Sequence, residues 1–436
     1  MSQEQTKELL EFIKQCPSSY HTISAAGKQL SDAGYIHLSE GEEWNIEKGG
    51  RYFVTRNLSS IIAFRIPEND FSGFMLTASH SESPAFKIKP DPEMNAENTY
   101  IKLNTEKYGG MILSSWLDRP LSIAGRVIIN TGKGVATKLV HIDRDLLLIP
   151  SLAIHMNRSI NENGALNPQK DMLPLFGDQT AEKQFWPMIA KAAGTQPENI
   201  LGSDLFVYCR NEGTLWGHQN EFVSAPRLDD LQCVFGTLKG FLAGENPRSL
   251  PVFCVFDNEE VGSGTKQGAA STFLQDILQR ICAALSLDHT EYLRRLSSSF
   301  MLSADNGHAV HPNQPDKADP GHRPRLNGGV VIKYNAAQKY TTDGVSEAIF
   351  QKICKTANVP VQKYVNRSDI PGGSTLGNLS AGKVSVNSAD IGLAQLAMHS
   401  AFETAGAMDT LYLIEAVTAF YKTALFSDAD GNYSFV

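Results

Sequence analysis

Long apolar runs are missing from this chain. No stretch approaches the ~20 consecutive apolar residues that a membrane-spanning helix needs. The opening Met1-Ser2-Gln3-Glu4-Gln5-Thr6-Lys7 reads as the polar start of a helix, with no signal core. A membrane partner is therefore not expected, and the chain reads as cytoplasmic. Basic blocks are missing too. Lys and Arg number 39 against 47 Asp and Glu, a formal charge of -8 over 436 residues, and no aromatic-basic interleaving occurs. That balance argues against nucleic acid or any other polyanion as a partner. Cysteine is sparse: Cys16, Cys209, Cys233, Cys254, Cys282 and Cys354 form no CxxC pair. Their scatter excludes a disulfide scaffold and a thiolate zinc site. Cys233 and Cys254 sit among apolar neighbours, a setting for core packing and not for a nucleophile. Internal repeats and low-complexity tracts are absent.

The chain has 42% hydrophobic residues and a length beyond what one core usually covers, so two domains are expected. Leu9, Leu10, Phe12 and Ile13 form a helical stripe, and Ile23, Ala26 and Leu30 a second that stops near Gly34. Residues 51–54, 61–65 and 74–79 read as strands, the last ending at His80. From about Pro90 to Val223 the texture changes to short β-type runs such as 124–129 and 146–149, broken by turns. This is read as a β-rich insertion, residues 91–223, within an α/β domain made of 1–90 and 224–436. After Pro226 the alternation returns. Leu231, Val234, Phe235, Leu238 and Phe241 spell a helix, residues 252–256 a buried strand, 299–303 and 329–334 further strands, 345–357 a helix and 416–425 a closing helix. Strands alternating with helices predict an α/β/α sandwich with a mainly parallel sheet, and ligands at the carboxyl ends of its strands.

Asp257-Asn258-Glu259-Glu260 directly follows the apolar run Pro251-Val252-Phe253-Cys254-Val255-Phe256. Adjacent carboxylates at the end of a buried strand call for a cation, since otherwise one of them would bind a proton. One can hold metal while its neighbour moves protons, the division of labour in metal-assisted hydrolysis; two solvated loop glutamates are the alternative. His80 closes another strand, and Glu82 is placed to accept a hydrogen bond from the ring nitrogen that faces away from a metal. Asp229 and Asp230 stand where the chain enters a helix, so helix capping competes with ligation. Asp305 closes a third strand, and His399 lies in a late loop. Their convergence on strand ends favours a metal site. Nitrogen and carboxylate ligands without thiolate suit zinc, manganese or cobalt, and this many carboxylates suit two ions.

These segments resemble the aspartyl aminopeptidases, two-metal exopeptidases, over nearly the whole chain. The shared stretches include Pro17-Ser18-Ser19-Tyr20-His21, Val54-Thr55-Arg56-Asn57, Ser79-His80, Leu121 to Ile128, Ile149 to Asn163, Pro226 to Leu231 and Phe256 to Gly262. Ala309 to Asn313, Val331 to Lys333 and Gln395 to Ser400 continue the match. The resemblance implies that Asp229 bridges two divalent ions, with Zn2+ first and Mn2+ or Co2+ as alternatives. His80 and Asp305 would complete one site, and Glu260 and His399 the other. Glu259 would be the general base acting on peptide substrates, with Glu82 orienting His80 and the substrate's α-amino group at one metal. It further implies that Lys333 meets an acidic first side chain, that the insertion dimerises, and that dimers build a dodecamer. His155 is the candidate for reaching a neighbouring subunit's site. Three positions depart from the family: Glu82 for aspartate, Asp230 for asparagine and Ser151 for histidine. Alternatives are an aminopeptidase preferring neutral residues, a related two-metal deacylase, and a self-assembling structural protein that keeps a metal site for stability.

Overall fold

The computed structural model describes residues 2–162, 164–373 and 375–436. Met1 and Asn163, the first residue of the expected helix and the last of the Ile149 to Asn163 motif, lie outside them. Strand Leu250–Phe256 is buried at every residue, as a strand covered on both faces must be. Its side chains alternate. Phe253 and Val255 enter a core shared with Leu9, Phe12, Ile23, Leu30, Phe235 and Phe420, while Val252, Cys254 and Phe256 enter another with Phe273, Ile277, Ile281 and Tyr292. Helices Ser2–Gln15, Ser19–Asp32, Leu228–Ala243, Gly344–Thr356 and Asp409–Tyr421 therefore cover one face, and Phe273–Ala284 and His289–Ser297 the other. This part of the chain is an α/β/α sandwich.

Nine strands form the principal sheet, in the order Ile36–Leu38, Arg51–Arg56, Ser60–Arg65, Leu250–Phe256, Phe74–His80, Phe300–Ala304, Asn387–Gly392, Val330–Tyr334 and Val361–Val365. The four beginning with Leu250–Phe256 are mutually parallel. Antiparallel partners flank them at Ser60–Arg65 and Val330–Tyr334, so the sheet is parallel at its centre and mixed towards its edges. Parallel registry brings His80 opposite Phe256 and puts His80, Asp257 and Asp305 at one end of the sheet. Gly236 and Gly240 weaken helix Leu228–Ala243 by about 1 kcal/mol each relative to alanine. A Cβ at Gly240 would lie 2.6 Å from Val417, so glycine lets helix Asp409–Tyr421 press against the helix that carries Asp229.

Six antiparallel strands between Ala85 and Cys209 make a second sheet. Its own core contains Phe86, Leu103, Leu121, Val127, Leu205 and helix residues Phe185 and Ile189. A third, five-stranded sheet joins Thr214–Trp216, Phe222–Ala225, Glu403–Gly406, Ala394–Leu396 and Gly307–His308. Two sequence expectations need correction. Residues 146–149 form only isolated bridges, Leu121 with Leu147 and Leu148 with Leu175, because each partner is the first residue of its strand and the pairing stops after one residue. The closing helix is Asp409–Tyr421, and Leu425 instead begins the hairpin Leu425–Ala429 with Asn432–Phe435.

His21, on helix Ser19–Asp32, packs edge-on against His141 of the second sheet at 5.6 Å between ring centroids. Its Nδ1 lies 2.8 Å from Ser18 Oγ. Burial, and then the adjacent His141, hold the His21 imidazole down at about 4. An unfolded chain titrates its histidines near 6.5, so it binds more protons than the fold between those values. The contribution of a neutral His21 is complete above about pH 6.5 and is lost as pH falls towards 4. His21→Gln is expected to flatten the fall in Tm between pH 7 and 5, read from melts at successive pH values. An unchanged slope would remove His21 from the account.

Candidate metal centre

The third sheet explains how distant residues meet. Strand Phe222–Ala225 runs on into Asp229, the hairpin between Ala394–Leu396 and Glu403–Gly406 carries His399, and Gly307–His308 follows Asp305. His80, Glu259 and Glu260 arrive from the principal sheet. Gly392 keeps this junction open, since a Cβ there would overlap the Asp305 carbonyl.

One oxygen of Asp229 lies 3.4 Å from His80 Nε2 and the other 3.5 Å from His399 Nε2. Asp305 Oδ1 is 3.9 Å from His80 Nε2, and Glu260 Oε1 is 3.3 Å from His399 Nε2. The ligating atoms of His80, Asp229, Asp230 and Asp305 lie within 4.8 Å of one another, and so do those of Asp229, Glu260 and His399. Glu259 forms a third group of this kind with His80 and Glu260. Neither Asp229 nor Asp230 caps its helix: Arg227 occupies the N-cap position, and no side chain makes a capping bond there. Asp230 instead accepts the His80 N–H at 3.1 Å. The His80 ring donates from Nδ1 to the Glu82 main-chain carbonyl at 3.0 Å, leaving Nε2 bare towards the carboxylates. The Glu82 carboxylate, at 3.7 Å from that Nδ1, accepts from Tyr108 and from the Glu260 N–H. Glu82 thus orients His80 through its backbone and the Glu260 turn through its side chain.

Charge crowding sets the electrostatics. Burial, opposed by His80 and reinforced by Asp305, Glu82 and Asp229, pushes Glu259 up to about 8. Burial and Asp229 drive Glu260 well above its ordinary range. Asp229 is itself buried, yet the His399 and His80 rings hold it well below the usual carboxylate range. Burial works against a charged His399, but Asp229 and Glu260 raise it to about 10. Asp229 Oδ1, Asp230 Oδ1 and Glu260 Oε1 are buried and accept no hydrogen bond among the described residues. Unpaired buried charge costs several kcal/mol per ion, so buried carboxylates and histidines aimed at one another fit divalent cations.

Lys333, on strand Val330–Tyr334, is buried and points at the same cluster. Its Nζ donates to the Asn306 carbonyl at 2.9 Å and lies 3.4 Å from Asp305 Oδ2. His155 is exposed on the loop that follows Ile149 and is not brought to the cluster within this chain. His308 and His311 line a groove of about 450 Å³ beside Met398. Glu403 and Asn306 were not singled out from the sequence. Buried Asn306 ties Leu228, Gln232 and Gln395 together. The one signal for Glu403 was an acid within the otherwise uncharged run Ala401-Phe402-Glu403-Thr404-Ala405-Gly406-Ala407.

The family model described as aminopeptidase I zinc metalloprotease (M18) matches residues 12–421. This chain belongs to the M18 peptidase family. A relative from Clostridium acetobutylicum, described as a probable M18 family aminopeptidase 2, is 46% identical over 428 residues, covering 96% of this chain and 99% of the relative. A relative of the same description from Pseudomonas aeruginosa is 37% identical, covering 97% of this chain and 99% of its own length. Among solved structures, the Ape4 and Nbr1 complex aligns with a TM-score of 0.93 and 35% identity, over 97% of this chain and 86% of the other. The S. cerevisiae mApe1 dodecamer aligns at 0.84 and 25%, over 96% and 97%. This M18 protein is a metallo-aminopeptidase of a zinc metalloprotease family, which sets aside the structural and deacylase alternatives. No helix among its described residues is long and apolar enough to cross a membrane.

Proposed function

We propose that this M18 aminopeptidase holds two divalent ions and removes acidic residues, Asp or Glu, from peptide N-termini. The observation that carries the two-ion reading is the Asp229 carboxylate, whose oxygens face His80 and His399 separately. Asp305 would complete the His80 half and Glu260 the His399 half. When bound, such ions supply Lewis acidity that acidifies a water and polarises the carbonyl under attack. Glu259 would take the water's proton and pass it to the leaving amine. The Glu82 carbonyl keeps the His80 ring from turning, and Asp230 holds the His80 main chain in place.

The groove beside Met398 supports an acidic preference, for Lys317 and Arg367 outnumber the lining Asp319. Lys333, buried against Asp305, would add a positive charge beside the metal cluster. Its pairing with Asp305 favours the second reading, a preference for neutral residues, because a neutralised cation attracts an acid less. Reduced function in the cytoplasm is supported by six buried free cysteines. Self-association of the 91–223 insertion into dimers, and of dimers into a dodecamer, is supported by the dodecameric state of the mApe1 neighbour and by Leu152, Ile154 and Met156, which stand 56%, 48% and 75% exposed around His155.

Hydrolysis of N-terminal Asp, Glu, Leu, Ala and Lys amides by stripped enzyme, then with zinc, manganese or cobalt restored, tests the reading. Metal-dependent cleavage favouring Asp and Glu is expected. Lys333→Ala should narrow the ratio of Asp to Leu kcat/KM by about tenfold, the factor that 1.4 kcal/mol represents. An unchanged ratio would discard the Lys333 role, and a wild-type preference for Leu or Ala would establish the neutral alternative.

A further inference from the structure

Glu403 belongs to none of the metal-ligating groups, yet it touches the backbone of two of their members. Its strand, Glu403–Gly406, pairs with Phe222–Ala225 in a register that sets Glu403 opposite Ala225. Four residues beyond Ala225 the chain reaches Asp229. On its other side the strand pairs with Ala394–Leu396, and the turn between them holds His399. Glu403 is 2% exposed. One oxygen, Oε1, accepts the His399 N–H at 2.7 Å, and the other, Oε2, accepts the Asp229 N–H at 2.9 Å. A single carboxylate thereby joins the main chain of residues 229 and 399.

Both N–H groups need such a partner. Asp229 lies in the first turn of its helix, where amides have no intrahelical acceptor. His399 has φ +65 and Ala397 has φ +56, a left-handed backbone that non-glycine residues adopt only when their surroundings impose it. Glu403 stands outside every ligating group, and both of its oxygens receive main-chain amides.

We propose that Glu403 is a positioning residue: its carboxylate sets the spacing of Asp229 and His399, so that the His399–Glu260 half of the centre can close on an ion. This rests on the two-ion reading above. The His80 half has independent support from Asp230 and Glu82, so loss of Glu403 should weaken one half selectively. The same strands are also tied by Ser224 Oγ and Thr404 Oγ1 at 2.7 Å, a contact in which neither amide takes part. Thr404→Val therefore loosens the strand pairing without touching the ligand backbone.

The test is zinc titration by calorimetry into metal-stripped full-length wild type, Glu403→Ala, Glu403→Gln and Thr404→Val, with bound zinc counted after desalting. Wild type and Thr404→Val are expected to take up two ions per chain. Glu403→Ala should keep one, with the second bound about 10- to 100-fold more weakly, the usual cost of losing a group behind a ligand. Glu403→Gln, which retains one accepting oxygen, should fall between and remains informative if the alanine variant does not fold. Excess zinc should restore kcat in the Glu403 variants. Wild-type zinc affinity in both Glu403 variants would overturn the inference alone, as would equal losses in Thr404→Val, which would mark Glu403 as a strand staple. Fewer than two ions on wild type would instead overturn the two-ion reading, and the inference with it.

Discussion

Replacing Glu259 by glutamine is expected to lower kcat about 10²- to 10⁴-fold, the range over which a positioned base accelerates proton transfer, with little change in KM or metal content. Glutamine has the same shape but cannot take a proton. Glu259 shares a compact group with His80 and Glu260, close enough to serve a reacting water without being needed by Asp229. In the metal-free chain its carboxyl sits at about 8 because of burial and the surrounding carboxylates, and it is therefore largely protonated at neutral pH. Cations placed among those carboxylates draw the value down and free the base, so activity and metal loading should rise together as pH increases. Steady-state kinetics with metal analysis checks this. A fall in kcat matched by a fall in kcat/KM identifies an interaction made in the transition state. Turnover within threefold of wild type would assign the base elsewhere.

Asp229→Asn should be at least as damaging, for a different reason. An amide offers one oxygen and one NH2 group, so one of the two facing histidine sites would meet a donor where it needs an acceptor. Metal content is expected to fall from two ions per chain to one at most, with kcat reduced by a factor of at least 10³, in keeping with the loss of metal-assisted catalysis. Stability reports the same loss without any substrate. Zinc at 100 times its Kd stabilises a fold by about 2.7 kcal/mol per site, and the zinc-induced rise in Tm should shrink accordingly in the variant. Two bound ions and a wild-type rise in Tm would rule out the bridging role.

Several of these features are legible in the linear chain, and the reason is local. Apolar runs that end in His80, in the Glu259-Glu260 pair and in Asp305 mark strand ends, because a strand buried on both faces must be apolar until it reaches solvent or a ligand. Helix Leu228–Ala243 is readable from the spacing of Leu231, Val234, Phe235, Leu238 and Phe241. Residues 146–149 look identical to a strand by composition, yet they lack a continuous partner, and pairing is not a property of four residues. The neighbours of Lys333 leave open an exposed strand lysine, but the fold buries it against Asp305.

By itself, the sequence determined that the chain is an α/β protein with carboxylates and histidines at strand ends and no thiolate chemistry, since these follow from residue type and short-range periodicity. Only the tertiary structure decided that Asp229 would face His80 with one oxygen and His399 with the other, and that Glu403 would hold both loops. Those contacts join residues up to 174 positions apart in the chain, brought together by the registry of two sheets, and no local pattern encodes a distance between such segments. Folding supplies it by burying the apolar faces that lie between them.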